Sequence, residues 1–110
     1  MRPLDQLEQT IAERKAAAAA DSSYTAKLLA GGLAKIGPKV TEEAAEIVEA
    51  AAESGEEGRQ HTVREAADVI YHLLVLLAAR GVKLEEVESE LARRFKMSGL
   101  EEKASRNQKE

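Results

Sequence analysis

Two short acidic motifs carry the first chemical signal: Glu43-Ala44-Ala45-Glu46 and Glu65-Ala66-Ala67-Asp68. Residues three apart lie on one side of a helix, so each motif puts two carboxylates on one surface. The second motif interrupts a run rich in Ala66, Val69, Ile70, Leu73, Leu74, Leu76 and Leu77, apolar around most of a helix. A carboxylate in such a setting must be paired, protonated or bound to a cation, because an isolated buried charge is too costly. If the two helices pack antiparallel, the four carboxylates converge. Mg²⁺ and Mn²⁺ take oxygen ligands and keep open positions for phosphate, so the expected chemistry is that of a metal–phosphate platform. The alternative is a solvated or ion-paired helix face, since either motif alone is common on exposed helices. A di-iron carboxylate bundle would need Glu-x-x-His, and neither His61 nor His72 follows a glutamate by three. His72 extends the Glu65/Asp68 stripe and reads as a hydrogen-bonded core or interface histidine, with a metal ligand as the alternative. His61 is expected to be exposed, near a linker.

The elements that must position these groups are helices. Apolar residues recur at three and four, proline occurs only at Pro3 and Pro38, and no Asn-Gly or Asp-Gly hairpin signal appears. The fold class is therefore all-α, with about five helices in an antiparallel bundle. A first helix over 4–20 carries Leu4, Leu7 and Ile11 on one face, and its alanine run is a weak packer that can fray. Asp21-Ser22-Ser23 caps a short helix stopped by Gly31-Gly32. Gly37-Pro38 predicts the start of a third helix, with Pro38 in the first position, ending near Ser54-Gly55. A helical wheel assigns its core face to Val40, Ala44, Ile47 and Ala51, with Glu42, Glu49 and Glu53 opposite and Lys39, Glu43 and Glu46 on the flank. Residues 56–60 read as a polar linker to a fourth helix that stops at Gly81. A fifth helix has Leu84, Val87, Leu91 and Phe95 on one face. Residues 1–97 are expected to form a single domain and 98–110 a polar tail.

Composition removes other classes. The 110 residues suit one modest core, and without cysteine neither a disulfide framework nor a thiolate metal site is possible. The net charge of −4 is spread along the chain with both signs mixed, which offers no footprint for nucleic acid. Tyr24, Tyr71 and Phe95 are the only aromatics, too few for base-stacking platforms. No basic segment followed by an apolar stretch opens the chain, and the apolar run at 73–79 is too short to span a bilayer, so a cytoplasmic protein is expected.

Several segments together resemble the phosphoribosyl-ATP pyrophosphatase family, which acts second in histidine biosynthesis. They are Ser23-Tyr24-Thr25 with Leu28-Leu29, then Lys35-Ile36-Gly37-Pro38-Lys39-Val40 running into Glu42-Glu43-Ala44-Ala45-Glu46, and the stretch from Glu65 through Asp68, Tyr71 and His72. The carboxylate pattern alone belongs to the wider all-α nucleoside triphosphate pyrophosphatase superfamily. The resemblance implies hydrolysis of phosphoribosyl-ATP to phosphoribosyl-AMP and pyrophosphate by a stand-alone, Mg²⁺-dependent enzyme, with Mn²⁺ as the alternative ion. It implies Glu43, Glu46, Glu65 and Asp68 as metal ligands and Glu42 as the group that activates or orients water, with a merely solvated glutamate as the alternative. Lys35, Lys39 and Arg106 become substrate-binding cations, with Arg14, Arg93, Arg94 and Lys103 as further candidates. A homodimer or higher homo-oligomer would complete the bundle. The competing readings are a house-cleaning pyrophosphatase acting on (deoxy)nucleotides and a non-catalytic helical dimerisation module.

Overall fold

The computed structural model describes residues 1–96 together with Lys103 and Arg106. Over residues 1–96 it contains five α-helices and no strand: α1 (Pro3–Ala17), α2 (Tyr24–Gly31), α3 (Leu33–Ala51), α4 (Gly55–Arg80) and α5 (Leu84–Arg94). The all-α expectation holds. No helix among the described residues is long and apolar enough to cross a membrane. The tail expected over 98–110 lies outside the described residues except for Lys103 and Arg106, both exposed.

Helix α1 starts with Pro3 in its first turn, where a missing N–H costs nothing. Its inward stripe of Leu4, Leu7 and Ile11 packs on the core. The alanine run ends the helix: Ala18 takes a positive φ of 49°, and Ala18–Ala20 form a 3₁₀ turn. Ser23 then caps α2 by accepting from the Ala26 amide at 3.1 Å, while Asp21 accepts from the Ser23 amide at 2.8 Å. Gly32 ends α2 and at the same time precedes α3, at φ 68° and ψ −162°, a conformation that favours glycine.

Helix α3 corrects the expected start at Gly37-Pro38. It begins one turn earlier, at Leu33, and Pro38 lies inside it. The proline sits just past the first turn and leaves the carbonyl of exposed Ala34 without its helical donor, a group that water can serve. The expected linker at 56–60 is also corrected. Helix α4 already begins at Gly55, and Glu56 and Glu57 occupy its first turn, where acidic side chains oppose the positive end of the helix dipole. The connection is only residues 52–54, so α3 and α4 form a tight antiparallel hairpin. Buried Gly58 sets its closeness: a Cβ there would lie 2.3 Å from the Glu53 carbonyl oxygen. At the far end, Gly81 stops α4 in the left-handed conformation, with Val82 donating to Leu77 and Gly81 to Ala78.

The core is small: Ile11, Leu28, Ile36, Leu74 and Val75, with partly buried neighbours that include Val40, Tyr71, Leu76 and Leu84. Glu8 of α1 accepts from the Leu84 amide at 2.6 Å and so caps α5. Leu84 alone of the α5 apolar stripe reaches the core, whereas Leu91 is 47% and Phe95 86% exposed.

Candidate active site

The α3–α4 seam determines where the carboxylates stand. The inward line of α3 is Ile36, Val40, Glu43, Ile47 and Ala50, with Ile36 and Ala50 buried and the others partly so. Those steps of four and three are the spacing of a packed helical seam. The expected face of Val40, Ala44, Ile47 and Ala51 is corrected, since Ala44 and Ala51 are exposed. On α4 the matching line is Gly58, Thr62, Glu65, Val69, His72 and Leu76, again stepping by four and three, and none of these is exposed. Glu43 and Glu65 therefore occupy seam positions that apolar residues would normally fill.

Glu43, Glu46 and Glu65 each present an oxygen within 4.8 Å of the others. Glu43 Oε2 and Glu65 Oε2 are buried without any hydrogen-bond partner. Desolvation, reinforced by repulsion from Glu46 and contact with Glu65, pushes the Glu43 carboxyl up to about 7. Desolvation also raises Glu46, with Glu65 adding to it. Asp68 is exposed and stands outside this trio, although its charge adds to the upward push on Glu43. Bare buried carboxylate oxygens are expensive unless a proton or a cation meets them. Their geometry and oxygen-only chemistry fit a hard divalent ion.

The remaining candidates lie around this cluster rather than in it. The Glu42 side chain is 54% exposed, and Lys39 Nζ stands 3.9 Å from its carboxylate. Lys35 and Arg106 are exposed. Arg14 pairs with Asp21 at 3.2 Å and, with Lys15 and Lys27, lines a cleft of about 630 Å³ whose walls include none of the four carboxylates. Arg93 and Arg94 both hydrogen-bond Glu90 and hold its carboxyl down at about 2.

His72 is 6% exposed, which bears out its reading as a satisfied interior histidine. Its Nδ1–H donates to the Asp68 carbonyl at 3.0 Å, leaving Nε2 to accept from the Tyr24 hydroxyl at 3.3 Å. Thr25 and Tyr71 hydrogen-bond through their hydroxyls beside it. His61 is the residue sequence reasoning misplaced. It is partly buried within α4, with Nε2 3.2 Å from Glu65 Oε1 and Nδ1 3.0 and 3.1 Å from the two oxygens of Glu53. These carboxylates, Glu53 foremost, raise its proton affinity. The available signal was its position four residues before Glu65, hidden by taking 56–60 for a linker.

Comparison with known proteins bears on the same residues. The family model for phosphoribosyl-ATP pyrophosphohydrolase matches residues 4–95. The phosphoribosyl-ATP pyrophosphatase of Rhodopirellula baltica is 56% identical over 104 residues, covering 94% of this chain and 86% of that protein. That of Dinoroseobacter shibae is 56% identical over 106 residues, covering 96% of this chain and 100% of the relative. Phosphoribosyl-ATP pyrophosphatase 1 of Bradyrhizobium diazoefficiens is 53% identical over 102 residues, covering 93% and 92%. With a match that spans both acidic helices and nearly the whole length of these relatives, the chain belongs to the phosphoribosyl-ATP pyrophosphohydrolase family.

Proposed function

We propose that this chain is a hydrolase that converts phosphoribosyl-ATP and water to phosphoribosyl-AMP and pyrophosphate, the second step of histidine biosynthesis. The observation that carries the reading is the trio Glu43, Glu46 and Glu65, with two bare oxygens buried in a helical seam, in a chain of this family. Glu43, Glu46 and Glu65, joined by Asp68 at the exposed edge, would hold Mg²⁺, with Mn²⁺ as the alternative. When bound, the cation neutralises charge on the triphosphate and on the departing pyrophosphate.

The chain's own residues do the rest. The products require cleavage of the anhydride between the α and β phosphorus atoms, with the bridging oxygen leaving on one product and the water oxygen on the other. Glu42, half-exposed and next to the ligand Glu43, accepts the proton of the attacking water. Lys39, Lys35 and Arg106 meet phosphate oxygens, as a chain of net charge −4 needs local cations to hold a polyanion. Residues 1–97 act as one domain, and 98–110 form the tail that brings Arg106.

A homodimer or larger assembly covers the apolar residues that one chain leaves open. Val63, Ile70 and Leu73 on α4, Val48 on α3 and Phe95 beyond α5 are all exposed. A nucleotide substrate of this kind suits an enzyme of the cytoplasm, the location this reading carries.

The test is pyrophosphate release from phosphoribosyl-ATP with and without Mg²⁺, beside a panel of deoxynucleoside triphosphates. Mg²⁺-dependent release from phosphoribosyl-ATP is expected. Turnover of the panel alone would assign a house-cleaning enzyme, and no turnover without any Mg²⁺ stabilisation would assign a dimerisation module.

A further inference from the structure

We propose that His61 is a positioning residue for Glu65, tethering one oxygen of that carboxylate to Glu53 so that the other stays aimed into the carboxylate cluster. The inference rests on the reading of Glu43, Glu46 and Glu65 as a cation site. The two oxygens of Glu65 differ sharply in their surroundings. Oε1 lies 3.2 Å from His61 Nε2, whereas Oε2 is buried and bare. A glutamate has three rotatable side-chain bonds, and ordering it costs entropy each time a ligand binds. Holding Oε1 in advance leaves Oε2 as the oxygen offered to the cluster.

The tether is more than a pair along one helix. His61 and Glu65 are four apart on α4, a spacing that alone gives weak exposed pairs. Glu53 is different: it lies in the turn between α3 and α4, outside either helix, and both of its oxygens reach His61 Nδ1, at 3.0 and 3.1 Å. That turn is held by close packing, because Gly58 comes so near the Glu53 carbonyl that no Cβ would fit between them. The Glu65 side chain is 15% exposed, so its orientation is decided inside the protein rather than by solvent. Glu53, His61 and Glu65 thus form a chain from a fixed turn to the site. Hydrogen-bond partners of ligating groups orient those groups in this way, and their loss typically weakens metal affinity.

The test measures Mn²⁺ binding by electron paramagnetic resonance, and Mg²⁺ binding by calorimetry, on the full chain. His61→Ala should weaken Mn²⁺ binding by about 10- to 100-fold while kcat at saturating metal stays near that of the unmodified protein. His61→Gln, whose amide can still donate to Glu65, should recover most of the affinity, and Glu53→Ala, which removes the far acceptor, should weaken it in the same direction as His61→Ala. Unchanged Mn²⁺ affinity in folded His61→Ala overturns the proposal. If that variant does not fold, Glu53→Ala decides, since it removes both oxygens of the far anchor and leaves the residues of α4 in place, and unchanged affinity there also overturns the proposal. Absence of Mn²⁺ binding by the unmodified chain would refute the cation site and the tether together. Binding lost in Glu43→Gln but intact in His61→Ala would refute the tether alone.

Discussion

Glu43 and Glu65 face each other across the α3–α4 seam, and each keeps one oxygen, Oε2, buried without a hydrogen-bond partner. Both sit where a packed seam would otherwise place apolar side chains. The metal-free fold therefore carries a local cost that only protonation or a cation relieves. Glu43→Gln and Glu65→Gln should each lower kcat/KM by about a hundredfold or more, beyond the usual effect of outer partners, and yet melt higher than the unmodified chain in chelator. Glu46→Gln should follow them in activity. Asp68→Asn, outside the trio, should lose activity without gaining metal-free stability. Near-normal turnover in two of the four would sink the ligand assignment.

Glu43 gives a pH dependence with a definite sign. Glu43 titrates at about 7 in the fold against an ordinary 4.5, so between those values the folded chain holds the extra proton. Stability in chelator should be greatest at the acid end of that window, fall as pH rises through it and level off above about 7. His61 contributes with the same sign, because its raised value adds stability below 6.5 that is lost as pH rises through the folded value. Glu43→Gln should remove the Glu43 part of the slope and keep the smaller parts from Glu46 and His61. Saturating Mg²⁺ should flatten the curve by stabilising the ionised form, with proton release on binding. Melts that do not move between about pH 5 and pH 7.5 in chelator would contradict the Glu43 assignment.

Gly58 and Gly37 should respond unequally to alanine. A Cβ at Gly58 would meet the Glu53 carbonyl at 2.3 Å, so Gly58→Ala must push α4 off the turn, costing about 1–3 kcal/mol. At Gly37 an added Cβ meets nothing within 4 Å beyond its chain neighbours, but the next residue is Pro38, whose ring opposes a Cβ on a preceding helical residue, so the usual gain of alanine over glycine is offset and Gly37→Ala should change stability little. Denaturant melts of the two variants check this. Equal shifts would mean that the hairpin is not held at Gly58.

What was legible in the sequence follows from which signals are local. The stops at Gly32 and Gly81 need a positive φ, and the Ser23 cap needs only its own hydroxyl, so these boundaries could be read directly. Two helix starts could not. Gly37-Pro38 has the form of an N-terminus, yet tertiary packing of Ile36 in the core draws the helix back to Leu33. Residues 56–60 are polar like a linker, but Glu56 and Glu57 suit the first turn of a helix. Placing that turn in a loop concealed the contact of His61 with Glu65. The rotated face of α3 has a related cause: Ala44 and Ala51 count as apolar but are small, whereas the seam is set by Ile36, Ile47 and the short turn.

His72 should matter more for folding than for turnover. It is buried, donates to the Asp68 carbonyl and accepts from Tyr24. His72→Ala removes both bonds and opens a cavity, so a loss of about 2–4 kcal/mol is expected. Tyr24→Phe removes one partner and should cost about 0.5–1.5 kcal/mol. Turnover per folded site should stay within about a factor of three for both. A folded His72→Ala protein with activity lost by orders of magnitude would place the imidazole at the substrate instead.

Lys39 is the cation best placed to test how a negatively charged chain holds a polyanion. It lies one turn before Glu43 on α3, and its Nζ stands 3.9 Å from the Glu42 carboxylate, with both side chains about half exposed. Such a pair is worth at most about 1 kcal/mol in water, so a phosphate group that offers more charge can draw the ammonium away from Glu42. A charge-assisted hydrogen bond to phosphate is worth about 1.5–3 kcal/mol, so Lys39→Ala should lower kcat/KM by roughly 10- to 100-fold. Lys83, exposed just before α5, is the control, and Lys83→Ala should be nearly silent. Glu42→Gln separates the two members of the pair. If Glu42 accepts the proton of water, its loss falls on kcat and persists in the Lys39→Ala background. If Glu42 only pairs with Lys39, the double variant should be no worse than Lys39→Ala alone. Equal, small effects at Lys39 and Lys83 would reduce Lys39 to a surface lysine and move the phosphate-binding role to Lys35 and Arg106.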